Sequence, residues 1–210
     1  MKKRTMDTRD SRKIVPAQQR GAETNAEYSY RAGTNDEAMV VFQNACERLL
    51  NVNSWDKYSG KVSAIFRVTN EDGNEINGLV KKGYYFKIDI PGPGSMTGDG
   101  YDWVRIEKID TSSNNRDDWE SIAMRVRPSS NPKNNKEDVA HFFSEEATSN
   151  FVVRREGLKI TAGVYGRNEI PNTEVQNVVD KTRNAAIGLT AMSGVSSIQW
   201  NNLVKGIVGK

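Results

Sequence analysis

The chain has 210 residues, 30 Lys and Arg against 27 Asp and Glu, 36% hydrophobic residues and a mean hydropathy of −0.69. A single Cys and a single His exclude an internal disulfide, a cysteine-built metal site and a zinc site needing two such ligands. No run approaches the eighteen or so apolar residues of a spanning helix, so the expectation is a cytoplasmic, soluble protein of one domain and a polar tail.

The charge is uneven. Residues 1–20 carry seven basic side chains (Lys2, Lys3, Arg4, Arg9, Arg12, Lys13 and Arg20) against Asp7 and Asp10, a net +5 that leaves −2 for the rest of a chain of total +3. Residues 1–27 read as a disordered basic tail, without the apolar core of a secretory signal. Non-specific charge gives residues 2–20 a weak contact with nucleic acid or an anionic surface. The body, 28–210, supplies no basic stretch interleaved with aromatics.

In chain order, Tyr28-Ser29-Tyr30 suits a short edge strand. Thr34-Asn35-Asp36-Glu37 fits a capping box, and Val41, Phe42, Ala45, Cys46, Leu49 and Leu50 recur at helical spacing, which predicts a helix from about Asp36 to Leu50. The helix exits through Asn51–Gly60, a turn bearing Trp55 and Tyr58. A strand follows over Lys61–Thr69, and Asp72-Gly73 marks a tight turn.

Leu79–Asp110 reads as two strands joined by a Gly/Pro-rich loop. Tyr84, Phe86, Ile88 and Ile90 alternate with Tyr85, Lys87 and Asp89, and Trp103–Ile109 forms the second arm. Pro91-Gly92-Pro93-Gly94 cannot continue a ladder. The loop lies between strands and not before a helix, so it lacks the amide cradle of a phosphate loop. It is read as a mobile loop or gate at the sheet rim.

Ile122, Met124 and Val126 predict a further strand, stopped by Pro128. Phe151–Glu156 and Leu158–Arg167 predict a hairpin turning at Glu156-Gly157. A helix capped by Asn172 or Thr173 carries an apolar stripe of Val175, Val178, Val179, Thr182, Ala186 and Leu189. Gly188 and Gly194 weaken it, and a second helical segment begins near Ser196 with Trp200, Leu203, Val204 and Ile207. The expected fold class is α+β: a curved antiparallel sheet of six or seven strands, with a helix before it and a long, broken helix packed on it.

No nucleophile elbow or catalytic cysteine context accompanies His141. An enzyme using His141 with Asp102 or Glu146 has no supporting motif, so no catalytic residue, cofactor or metal is assigned. His141 beside Phe142 and Phe143 reads as a packed histidine. The aromatics spread over the strands either fill the interior or line an apolar cavity.

The order of elements resembles the START-like helix-grip (SRPBCC) superfamily. The resemblance is carried by the exit of the first helix, Leu49-Leu50-Asn51-Val52-Asn53-Ser54-Trp55-Asp56-Lys57-Tyr58, and by the position of Leu79–Asp110 at the central strands. It covers about Tyr28–Lys210, against which stand the interrupted last helix and the long loop Pro128–Asp138. The resemblance implies a hydrophobic small molecule held between the sheet and the C-terminal helix, with Trp55, Tyr58, Phe86, Trp103, His141 and Phe143 as candidate cavity residues. Pro91, Gly92, Pro93 and Gly94 would gate the mouth. The alternative is a non-catalytic structural or interaction domain with a packed interior and a protein partner.

Overall fold

The structure, a computed structural model, describes residues 14–59, 64–116, 118–134, 137–190 and 196–209. Seven strands form one antiparallel sheet: β1 (Ala22–Arg31), β2 (Ile65–Thr69), β3 (Tyr85–Asp89), β4 (Asp102–Asn114), β5 (Trp119–Pro128), β6 (Thr148–Glu156) and β7 (Lys159–Glu169). Their order is β1-β7-β6-β5-β4-β3-β2. From β2 to β7 each strand pairs with the next in sequence, and β1 returns to pair with β7. Gly157, at a positive φ of 55°, turns the β6–β7 hairpin where the sequence placed it.

Strand alternation sorts the side chains between two faces. Phe66, Phe86, Val104, Ile106, Met124, Val126, Phe151 and Val153 share the inner face and form the main core with the helices. β4 and β5 run longer than the apolar pattern suggests, because Ser112 and Ser113 pair with Ser121 and Glu120. Backbone pairing needs no apolar side chain, so periodicity alone ends these strands early.

Helix α1 (Asn35–Leu50) begins as expected: Thr34 Oγ1 accepts the Glu37 amide at 3.2 Å. The return half of the box is shifted, since the Glu37 carboxylate takes the Gly33 amide at 2.8 Å and the Tyr30 hydroxyl at 2.6 Å. α1 packs on β6 and β7 through Val41, Phe42, Ala45 and Leu49. The short α2 (Asp56–Ser59) follows a single 3-10 turn at Val52–Ser54.

The C-terminal helix comes in two pieces, α3 (Val178–Thr190) and α4 (Ser196–Val208). The expected break at Gly194 falls among residues outside those described. α4 lies against β1, β7, α1 and α2, burying Leu203, Val204, Ile207 and Val208. A Cβ on Gly206 would stand 2.4 Å from the Tyr58 Cβ, so glycine permits the close approach of α4 and α2.

Two expectations need correction. The body does not start at Tyr28: β1 begins at Ala22, and further upstream Ile14 is fully buried on the outer sheet face against Ala123 and Val152. Gln18 and Asn168 also tie this segment to β7, through Asn168 N–H to Gln18 Oε1 at 2.9 Å and Gln19 N–H to Asn168 Oδ1 at 2.8 Å. The small and polar residues of this edge strand hid it. Residues 1–13, with most of the tail's charge, lie outside the described residues.

The second correction concerns α3. Its start is Val178, with Asn177 Oδ1 accepting the amides of Val179 and Asp180, and not Asn172 or Thr173. Within α3 the predicted apolar stripe faces solvent, with Val178 75%, Val179 60% and Leu189 60% exposed, while Val175, ahead of the helix, is buried. The buried side is polar: Asp180 0%, Asn184 1% and Arg183 6%. Periodicity reports a stripe, but what a helix turns inward depends on the groups it meets.

Candidate functional site

The sequence-predicted site residues separate into two groups. Trp55, delivered by the turn after α1, is fully buried beneath the sheet. Its ring lies 4.6 Å from that of Phe151, 5.3 Å from Phe66 and 5.9 Å from Phe86, mostly edge to face. Trp200 of α4 adds contacts to Phe66 at 6.3 Å and Phe151 at 5.7 Å. These are normal spacings for packed aromatic pairs, so the chain's own rings occupy this part of the interior. The Trp55 indole N–H donates to the Arg48 carbonyl at 3.1 Å, which satisfies its polar atom. Tyr58 packs at the margin of this cluster, against Gly206.

Trp103, His141 and Phe143 lie elsewhere. Val104 faces the core opposite Phe86, so Trp103, one residue earlier and opposite Lys87, points to the other face. Its indole N–H donates to the Gly98 carbonyl at 3.0 Å and its amide to Ala140 at 2.7 Å. His141 stacks on Phe142 at 4.3 Å and lies 6.0 Å from Phe143. The fold therefore joins Trp55 to Phe86 and His141 to Phe143, without merging the two sets.

Around His141 sits a buried polar network that roots α3. Arg183 reaches Asp102 with Nη2 to Oδ2 at 2.5 Å and Nη1 to Oδ1 at 3.2 Å, both side chains almost wholly buried. Asp102 Oδ1 also accepts the Phe142 amide at 3.0 Å. Asn172 donates to the carbonyls of Val139 and His141, and Asn184 donates to the Asn172 carbonyl at 3.0 Å. These bonds satisfy loop groups that burial would otherwise leave costly.

His141 Nδ1 accepts the Phe143 amide at 2.9 Å, which fixes that nitrogen as the unprotonated one. Burial pushes its pKa down to about 4, with Asp102 pulling it up and Arg183 pushing it further down. At neutral pH it is an uncharged imidazole. Of the two acids considered as its partners, Asp102 is beside it and engaged by Arg183, while Glu146 pairs with Arg20 at 2.5 Å. Cys46 is pushed up to about 12 by burial, then by Glu120 and Glu47, so the thiolate is scarce. Among the described residues no cluster of His, Cys, Asp and Glu is placed to hold a metal ion.

The Pro91–Gly94 loop is tied to α3. Pro93 accepts Arg183 Nε at 2.6 Å. Further on, the Asp180 carboxylate takes the amides of Met96 at 2.8 Å and Thr97 at 2.7 Å, and the Ser95 hydroxyl at 3.3 Å. Burial pushes the Asp180 carboxyl up, but the Thr97 and Met96 hydrogen bonds and Arg183 outweigh it and hold its pKa below the usual value. The loop thus does form an anion-receiving nest of backbone amides, contrary to the expectation, and its occupant is α3's own carboxylate. Asp180, Arg183 and Asn184 stand at helical i, i+3, i+4 spacing. That polar stripe was the available signal, and the apolar stripe on the other side masked it.

The strand order, the α1–α2 pair before β2 and the C-terminal helix laid on the inner face make this a START-like helix-grip fold. No family model matches the chain, and no curated protein matches it. Solved structures that are similar include norcoclaurine synthase from Thalictrum flavum, 7% identical over 90% of this chain and 88% of that one, TM-score 0.40. The KanY protein is 11% identical over 90% and 100%, TM-score 0.39. The major latex-like protein 151 from Panax ginseng is 11% identical over 82% and 96%, TM-score 0.32.

Proposed function

We infer that this chain is a non-catalytic interaction domain of helix-grip type, its interior filled by its own aromatic side chains and its partner a protein. The observation that carries the reading is the seating of Trp55, fully buried and in ring contact with Phe66, Phe86 and Phe151. Rings in mutual contact fill this part of the interior with the chain's own side chains, and a guest here would have to displace one of them. Native mass spectrometry of gently purified protein tests it. The chain should carry no small-molecule mass, and a stoichiometric polypeptide should co-purify; a bound small molecule in most of the population contradicts the reading.

A second reading, a hydrophobic small molecule held between the sheet and the C-terminal helix, is favoured by α3. Its apolar residues Val178, Val179 and Leu189 are exposed, which leaves this segment an apolar side not used in the core. Tryptophan emission of the wild-type chain titrated with a fatty acid separates the two. A saturable blue shift supports the small-molecule reading, and an unchanged spectrum supports the packed interior.

A further inference from the structure

The outer face of the sheet carries a feature that neither reading of the interior uses. A groove of about 390 Å³ opens there, lined by Lys82, Gly83, Arg105, Ile106, Glu107, Arg127, Pro128 and Ser129. Its charged lining is three cations against one carboxylate. That carboxylate, Glu107, is already committed to Arg127 at 2.5 Å. Among the described residues no ion pair is found for Arg105 or Lys82.

Arg105 on β4 stands directly opposite Arg127 on β5. Glu107 neutralises Arg127, whose Nη1 also donates to the Glu145 carbonyl at 2.5 Å, so the charge left unanswered in the groove lies on Arg105 and Lys82. Arg105 also faces Tyr85 across the β3–β4 pair, its guanidinium carbon 5.8 Å from the ring centroid. The fold therefore builds a cross-strand row of Tyr85, Arg105 and Arg127 from residues far apart in sequence. Lys82 and Tyr85 lie close in the sequence, but their grouping with Arg105 and Arg127 comes from the strand register. A β-bulge at Glu107, between the Ile106 and Lys108 pairings, breaks the ladder beside the row; bulges of this kind re-aim side chains at the margins of sites. Ser129 adds a hydroxyl at the groove wall.

We propose that the Lys82–Arg105–Arg127 groove is a binding site for a phosphate group. The Arg105 guanidinium fork and the Lys82 ammonium match the oxygens of a phosphate, while Glu107 and the Glu145 carbonyl hold Arg127 at the groove wall. The phosphate has two chemical sources, a free organic or inorganic phosphate or the backbone of a single-stranded nucleic acid. The described chain begins at Ile14 on this same outer face, and the basic residues of 1–13 precede it in sequence, so the tail's charge must be separated from the groove's.

The test is calorimetric titration of the full chain with inorganic pyrophosphate and, separately, with an oligothymidylate strand, at low salt. Saturable pyrophosphate binding should weaken about tenfold or more in both Arg105→Ala and Lys82→Ala, the loss expected for one charge-assisted contact. Neither exposed side chain anchors the core, and unchanged circular dichroism verifies folding. A strand that displaces pyrophosphate identifies a nucleic-acid backbone as the source, and one that does not identifies a free phosphate. Replacing the basic residues at positions 2, 3, 4, 9, 12 and 13 by alanine should leave pyrophosphate binding in place. Absence of saturable binding, equal affinity in Arg105→Ala, or loss only in the tail variant overturns the proposal.

Discussion

Arg183 of α3 and Asp102 at the head of β4 form a two-pronged ion pair in which the guanidinium is 3% exposed and the carboxylate 0%. This pair, with Asp180 in the Ser95–Thr97 nest, is why α3 turns its polar side inward. Burying a charge is tolerable only when it is paired and hydrogen-bonded. Removing one partner should therefore be severe. Asp102→Ala is expected to cost about 3–5 kcal/mol, read by urea denaturation, with amide exchange of residues 178–190 accelerating first. The apolar double replacement Asp102→Leu with Arg183→Met should cost much less. A single mutant within about 1 kcal/mol of wild type, on the order of an exposed pair, would show that the pair does not hold the helix.

His141 gives the fold a pH dependence of predictable sign. Its folded pKa of about 4 lies below the usual 6.5, so between those values the unfolded chain binds a proton that the folded one refuses. Stability is full above pH 6.5 and falls as pH drops toward 4, by up to about 3 kcal/mol. In His141→Gln this part of the acid sensitivity should disappear. Unfolding midpoints measured from pH 7 to 4 check it; parallel curves for the two proteins would contradict the assignment.

Trp55 is the keystone of the inner cluster. Trp55→Ala should destabilise by about 3–5 kcal/mol, combining lost burial with a cavity among Phe66, Phe86 and Phe151. A hydrophobic probe such as ANS should bind the folded variant and not the wild type. Comparable probe binding by both would mean that the interior is already open.

Gly206 tests the seating of α4. A methyl group at this position would stand 2.4–3.1 Å from backbone and side-chain atoms of Tyr58, so Gly206→Ala must push α4 away from α2. Overpacking of this kind costs about 1–3 kcal/mol, although alanine raises helix propensity by about 1 kcal/mol. A net loss in thermal midpoint is the expected result, and a gain would show that α4 has room to shift.

Much of the fold was legible in the sequence for physical reasons that can be named. The Thr34–Glu37 cap, the alternation through Phe86 and Ile88, the Gly157 turn and the α4 stripe are local signals, and each matches the structure. β1 and the outer ends of β4 and β5 were hidden because small and polar residues can pair as well as apolar ones. α3 misled because its apolar stripe was the stronger periodic signal, while Asp102, Asp180 and Arg183 are brought together only by tertiary structure. His141 is buried against Phe142 and Phe143, yet its placement near the charges of Arg183 and Asp102 depends on a helix whose docking side the sequence does not specify. The Tyr85–Arg105–Arg127 row is a property of strand register, invisible until three strands are aligned.

The most direct test of the packed interior is native mass spectrometry of the full chain, purified without detergent or organic solvent. The expected result is a folded species in which the 23.5 kDa chain is accompanied by a stoichiometric polypeptide and by no small molecule. An added small-molecule mass in most of the population, released on denaturation, would contradict it.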